Sequence, residues 1–434
     1  MFEFFASFLW GNATLIAFLL LGIYFTITLK GIQVKLFTGI KIIWKQVFSK
    51  EKGTSSLTAL LTSLGAAMGP GNIVGVSTAL ILGGAGAIFW MCVCAFLGMA
   101  IRYAESYYAV VYRQKGSFGG TMYVSQSVFK TRFVAVVFCV TGVFVSIFMA
   151  DMLPARAIAD ALKESYNLPP LITLCGLSAI TAPAIVGGLK RIGTLTSIII
   201  PVLSIAYVLI AVFIIFKNPE SFINAITLIF KSAFSLKAGI SGLIGGAVRH
   251  GLVRGVHTNE AGMGTDPILA ASTTEKDPDR QATVSMLSPF IDTIIFCSVT
   301  GIILVMAGDF NINENAASLV AAAFQKFLPY NGSDFVNMVL FMLVYSTLIS
   351  WYFYGSECFR YITGGKYLKY YAIVYSAVPI ASVFFELPLI INLCDIGVFL
   401  MTFSTQITIL RAHKINKKCE KTVKQTMWHK KSTG

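Results

Sequence analysis

Charge is what this sequence has little of. Only 12% of its 434 residues are Asp, Glu, Lys or Arg, about half the share of a soluble domain. With 56% hydrophobic residues and a mean hydropathy of +0.74, that scarcity excludes a soluble globular protein and implies a polytopic membrane protein. Acidic residues are scarcer than basic ones, 20 against 34, for a net charge of +14. The excess forms no single basic face or domain, so it does not point to nucleic acid. It recurs in short connectors between apolar runs, which makes membrane lipid the partner. The eight cysteines are scattered and contain no C-x-x-C pair, and there are only four histidines. A metal cluster or disulfide framework is thereby excluded. No nucleophile–base–orienter set is visible, and no continuous rings of pore-lining polar residues. The expectation is therefore not an enzyme, with a membrane enzyme and a channel as distant alternatives. Residues 1–11 lack the basic start of a signal peptide, so they are read as uncleaved.

Apolar runs long enough to cross a bilayer fall near 12–29, 57–82, 84–112, 133–162, 170–187, 192–216, 238–262, 283–307, 335–357, 368–385 and 388–411. About eleven spans follow, with an amphipathic surface helix expected in the basic connector after the first. Placing that connector inside puts every Lys and Arg inside except Arg156, Lys163, Lys217, Lys231, Lys237 and Lys326. The N-terminus is then outside and the C-terminus cytoplasmic. The basic inner connectors suit a plasma (inner) membrane.

Removing the first span leaves two sets of five, and odd-numbered sets lie inverted in the membrane. The expected organisation is an N-terminal helix and basic cytoplasmic connector over 1–56 and a first five-helix repeat over 57–216. A second repeat with its preceding extracellular segment covers 217–411, and a basic cytoplasmic tail 412–434. The first helix of set one carries GAAMGPGNIVG from Gly65. Pro70 has no N–H to donate, and clustered glycines disfavour helix, so the chain is expected to unwind around Met68–Asn72. Unpaired backbone is tolerated in lipid only against protein or a wet cavity. A broken span thus puts carbonyls and helix ends at mid-membrane, where they hold a cation and an anionic group. The matching span of set two carries AGISGLIGGAV, with Gly239, Gly242, Gly245 and Gly246. A second break there, or close helix packing through small residues, accounts for these glycines.

The stretches GPGNIVGVSTALILGGAGAIFWM and GLVRGVHTNEAGMGTDPI resemble the signature regions of the alanine or glycine:cation symporter family. AIVGGLKRIGTLTSIIIPVLSIAYV, PFIDTIIFCSVTG and YSTLISWYFYG extend the resemblance from about residue 57 to 411 in family order. The resemblance implies an all-α, leucine-transporter-like 5+5 inverted repeat with one extra N-terminal helix. It also implies a secondary transporter that imports a small neutral amino acid with Na⁺, and the expected state is a monomer. In such a fold Na⁺ sits between the unwound first core helix and the eighth. By position, Gly65, Met68 and Leu343 offer carbonyls, and Ser346 and Thr347 hydroxyls. Ordinary bonding of those hydroxyls to the previous turn is the alternative. The substrate carboxylate is expected at N–H groups of Gly69, Gly71 and Asn72, and its ammonium at carbonyls of the second broken helix around Gly242. Trp351, one turn past Thr347, walls the side chain or else packs at the lipid interface.

The fourth span departs from the family pattern GNMVQANSIA: it reads ADMLPARAIA over Ala150–Ala159, with Pro154 and Arg156 in place of glutamine and asparagine. This leaves a different small amino acid as an alternative substrate. Arg156 and Asp160, spaced i,i+4, are expected to pair. Arg102 and Glu105 are expected to pair near the inner face, and Arg249, His250 and Arg254 to lie at the inner end of a span. Glu260, next to Asn259, is a candidate latch of the inner gate. Asp292 is either hydrogen-bonded to neighbouring helices or, if a proton replaces Na⁺, the coupling carboxylate.

Overall fold

The computed structural model describes residues 9–48, 54–114, 119–235, 245–308 and 316–432. Every regular element among them is helical. The N-terminal helix α1 (Asn12–Thr28) leads through a tight turn at Gly31 into α2 (Leu36–Val47). Phe37, Ile40, Trp44 and Phe48 form an exposed stripe along α2 at helical spacing, so this is the amphipathic surface helix that the connector predicts. The broken element follows as α3 (Ser56–Ala67) and α4 (Val74–Gly83). Ser55 starts α3 by accepting a hydrogen bond from the Thr58 N–H at 3.1 Å. Next come α5 (Gly86–Val111), α6 (Thr121–Phe129), α7 (Phe133–Ile147) and α8 (Leu153–Tyr166). A wide, π-type turn at Phe148–Met152 joins α7 to α8. Then follow α9 (Pro170–Val186), α10 (Gly188–Lys217) and α11 (Pro219–Ala233). The second half has α12 (Gly246–Asn259), α13 (Asp266–Ser272), α14 (Pro278–Ser285) and α15 (Ser298–Ala307). It ends with α16 (Ala316–Phe327), α17 (Gly332–Thr363), α18 (Leu368–Ala381) and α19 (Leu387–Ser432).

Among the described residues, six helices are long and apolar enough to cross a membrane, or up to eight if each of two bent pairs is one span. Pro170–Val186 and Leu368–Phe384 are shorter apolar helices. One face of α10 is bare hydrocarbon, with Ile198, Val202, Ile205, Leu209 and Phe216 exposed; such a stripe suits lipid. The buried face of α17 is opposite in character and runs through the centre of the bundle, with Leu343, Ser346, Thr347, Ser350 and Trp351 all covered.

Gly239 and Gly242 lie outside the described residues. The break that the structure shows comes later, at Glu260–Thr265, where Glu260, Gly262 and Gly264 have φ of +53°, +85° and +79°. From Gly246 to Glu275 the chain runs parallel to α5 along its whole length. Side chains at Gly251 and Gly255 would strike Trp90 and Cys94. Further along, Ser106 donates to Asp266 at 2.6 Å, and Arg113 donates to the carbonyls of Thr273 and Glu275 at 2.7 and 2.8 Å. Residues 263–272, which lie outside the expected spans, are thus packed inside, because α5 supplies partners for their polar groups. The same register moves two expectations. Gly246 and His250 lie beside Gly83, at the far end of α4, so Arg249 and His250 sit at the end opposite to the one expected. Arg102 does not pair with Glu105: it donates to the Asn259 carbonyl at 2.7 Å, while Glu105 accepts the Gly264 N–H at 2.9 Å.

Candidate functional site

Between α3 and α4 the axis turns by 65°. Met68 and Gly69 leave helical geometry, and Pro70–Asn72 form one tight turn. Asn72 locks it. Its Oδ1 accepts the Gly69 N–H at 3.0 Å, its own N–H donates to the Gly69 carbonyl at 3.1 Å, and its Nδ2 donates to Asp292 Oδ1 at 2.6 Å. Thr293 donates to the other Asp292 oxygen at 2.7 Å. Asp292 is therefore held by the Asn72 turn and by its own chain neighbour Thr293. Two of the three N–H groups expected to meet a carboxylate, those of Gly69 and Asn72, are already used within the turn. Of the three, Gly69 and Gly71 line the cavity and Asn72 does not.

That cavity has a volume of about 250 Å³. It is lined by Gly69, Pro70, Gly71, Thr347, Trp351 and Glu260. Trp351 is 1% exposed, and its Nε1 donates to Glu260 Oε1 at 2.9 Å. Thr265 donates to Glu260 Oε2, also at 2.9 Å. Glu260 thus ties α17 to the second break, and Trp351 faces the cavity rather than lipid. Asn259 lies beneath, its Oδ1 accepting the Ala261 N–H at 2.9 Å. The cavity extends along α4 past Val74, Gly75 and Thr78, opposite Leu153, Pro154, Ala157 and Asp160 of α8. Its wall continues with Arg254 and His257 of α12 and Asp395 of α19. Asp160 also holds Arg156, whose Nε lies 3.2 Å from it. Arg156 itself turns away from the cavity toward the Ser382 carbonyl at 3.4 Å, whereas Pro154 lines it.

Of the five residues expected around a cation, Thr347 lines the cavity and Gly65, Met68, Leu343 and Ser346 do not; they lie where α3 ends against α17. Thr347 Oγ1 is 3.4 Å from the Gly65 carbonyl and 3.5 Å from those of Ala66 and Met68. These separations exceed an ordinary hydroxyl hydrogen bond. Oxygens that far apart suit a hard cation with ligand distances of ~2.4 Å at right angles. Ser346 instead donates to the Leu343 carbonyl at 2.9 Å, so both of those oxygens are engaged within α17. Ser350 Oγ is buried with no hydrogen-bond partner among the described residues, and a side chain at Gly65 would strike it. It is a polar atom that sequence reasoning missed. His257 and Trp10 were missed too: their rings lie 4.8 Å apart, and His257 Nε2 is 3.2 Å from Asp395 Oδ1. A histidine two residues before the N-E-A-G stretch was the available signal.

Two broken helices that face one cavity, in an all-helical bundle with lipid-facing stripes, define a membrane carrier of the leucine-transporter-like class. The fold is similar to that of MhsT in complex with L-phenylalanine, with a TM-score of 0.62 at 14% identity, over 83% of this chain and 89% of that one. The chain belongs to the sodium:alanine symporter family, which it matches over residues 1–433. It is 38% identical over 407 residues to the sodium/alanine symporter AgcS of Methanococcus maripaludis, covering 90% of this chain and 89% of the relative. It is 32% identical over 397 residues to the putative sodium/proton-dependent alanine carrier protein YrbD of Bacillus subtilis, covering 87% and 81%. The family is one of transporters, not enzymes.

Proposed function

We propose that this protein imports a small neutral amino acid together with Na⁺ by alternating access, as a monomer in the plasma (inner) membrane. The single observation that carries the reading is the meeting of Gly69, Gly71, Thr347, Trp351 and Glu260 on the lining of one cavity. There the Gly71 turn receives the carboxylate, and the wall formed by the two breaks receives the ammonium. Na⁺ is held by the Gly65, Ala66 and Met68 carbonyls with Thr347 and Ser350, and Leu343 and Ser346 shape the same turn of α17. Because the ion sits against the turn that binds the amino acid, each favours the same closed state, which is the differential affinity that coupling requires. One charge moving down 100 mV supplies about 2.3 kcal/mol, enough alone for a gradient of order fiftyfold. Eleven crossings and the inverted repeat fit this scheme if 246–272 counts as one broken span. With the N-terminus outside and the C-terminus cytoplasmic, the cavity opens outward along α4, and Trp351–Glu260 closes the inner side.

A second reading concerns the amino acid. Asp160, Arg254, His257 and Asp395 along the cavity wall favour a polar side chain over a methyl group. The test is uptake into proteoliposomes of labelled alanine, glycine, serine and glutamine, with and without an inward Na⁺ gradient. Accumulation that requires Na⁺ is expected. Uptake driven by a pH gradient alone, or none for any neutral amino acid by folded protein, overturns the proposal. Preference for glutamine over alanine selects the second reading.

A further inference from the structure

The π-type turn between α7 and α8 carries a carboxylate that the amino-acid and Na⁺ sites do not use. Asp151 is fully buried. Among the described residues, neither of its carboxylate oxygens has a hydrogen-bond partner. Its neighbours Met149, Ala150, Leu153 and Pro154 line the amino-acid cavity, but Asp151 does not. From α18, Tyr371 and Tyr375 lie within electrostatic reach of it. Their hydroxyls are already engaged: Tyr371 with Ser146 of α7 at 2.8 Å, and Tyr375 as donor to the Leu348 carbonyl of α17, also at 2.8 Å. From α8, Arg156 and Asp160 are paired with each other. From α19, Cys394 and Asp395 face the cavity on the other side of the turn. Tyr352 of α17 stacks on Tyr371. Among the described residues, no Lys, Arg or His pairs with Asp151.

An unpaired carboxylate in such surroundings is not stable as an anion, and an ion among apolar groups neutralises instead. The turn that carries it is also mechanically weak. Pro154 has no N–H to give the Ala150 carbonyl, and π-type turns mark places where helices rearrange. We infer that Asp151 is a proton-binding site of this carrier, separate from the Na⁺ site. It holds one proton on a carboxylate oxygen while buried between α7, α17 and α18, and exchanges it with water when the α7–α8 turn is hydrated in the other-facing state. The step is a simple transfer: one proton bound from water on one side and returned to water on the other. This goes beyond the Na⁺ symport reading and does not require alanine to be the substrate.

The test is infrared difference spectroscopy on the full-length protein in lipid, comparing wild type with Asp151→Asn near neutral pH. The expected result is a carboxylic-acid C=O band in the wild type that is lost in the variant. In D₂O the band shifts slowly in the resting protein and quickly once Na⁺ and alanine are added. Asp151→Glu, which keeps the carboxyl, is expected to move the band rather than remove it, and this guards against a misfolded asparagine variant. Identical bands in wild type and both variants would mean an ionised Asp151 and overturn the site. A band unmoved by D₂O under every condition overturns the exchange. Failure of the Na⁺–alanine reading has a different signature: the band is present and exchanges, but at a rate that Na⁺ and alanine do not change.

Discussion

Asn72 shows how a single side chain fixes a functional backbone. It closes the Gly69–Asn72 turn on one side and satisfies Asp292 on the other. Asn72→Ala frees the turn and strips a buried carboxylate of a donor. Hydrogen bonds to charged groups contribute about 1.5–3 kcal/mol, so the variant is expected to melt several degrees lower in a detergent thermal-shift assay and to lose uptake. The paired hydroxyls of α17 separate two roles. Thr347 faces three carbonyls of α3, whereas Ser346 is already bound to Leu343. Thr347→Ala is expected to weaken Na⁺ about tenfold or more, and Ser346→Ala only a few fold, measured as the Na⁺ concentration that half-saturates uptake. Equal losses would place the ion against Ser346 as well. Gly69 belongs to the same contact: an added Cβ would sit 2.8 Å from Thr347 Oγ1, so Gly69→Ala should also lose uptake.

At the scale of the element, the two broken helices differ in how they declare themselves. The first break was legible because Pro70 removes a donor in the middle of a glycine cluster, a local cause with a local effect. The second was not. Its glycines crowd upstream of α12, where they invite a break, while Glu260–Thr265 contains no proline. It unwinds because partners distant in sequence receive its groups: Glu105 takes the Gly264 N–H, Trp351 meets Glu260, and Arg102 takes the Asn259 carbonyl. Pairings across 90 or more residues leave no periodic trace. For the same reason the Arg102–Glu105 pair suggested by i,i+3 spacing is absent, whereas the local Arg156–Asp160 pair is present. The glycines of α12 gain a role through this packing. Gly251 and Gly255 let α12 lie against Trp90 and Cys94. Gly255→Leu is expected to cost about 1–3 kcal/mol or more through overpacking and to lower the yield of folded protein on size-exclusion chromatography. Gly176→Leu on α9, where nothing lies within 4 Å of an added Cβ, should leave it unchanged.

For the whole molecule, the register of α12–α13 against α5 revises the topology argument without reversing it. Counting basic residues placed Arg249 and Arg254 inside, whereas α12 begins beside the end of α4 that the same count places outside. The inner face keeps the lysines around α2, Arg280 and the basic end of α19, so the asymmetry survives the loss of two members. The corrected register and the orientation make one joint prediction. In intact cells carrying a Cys175→Ser background, since Cys175 is itself exposed, Arg249→Cys should react with a membrane-impermeant maleimide. Arg280→Cys, next to the Lys35–Asp279 pair that fastens α2 to α14, should react only after the membrane is opened. If both react from outside, the span count is wrong by one crossing. If the pattern is reversed, the positive-inside argument fails for this chain, and the cavity along α4 opens to the cytoplasm. In that case the conformation described is the one that releases the amino acid rather than the one that captures it.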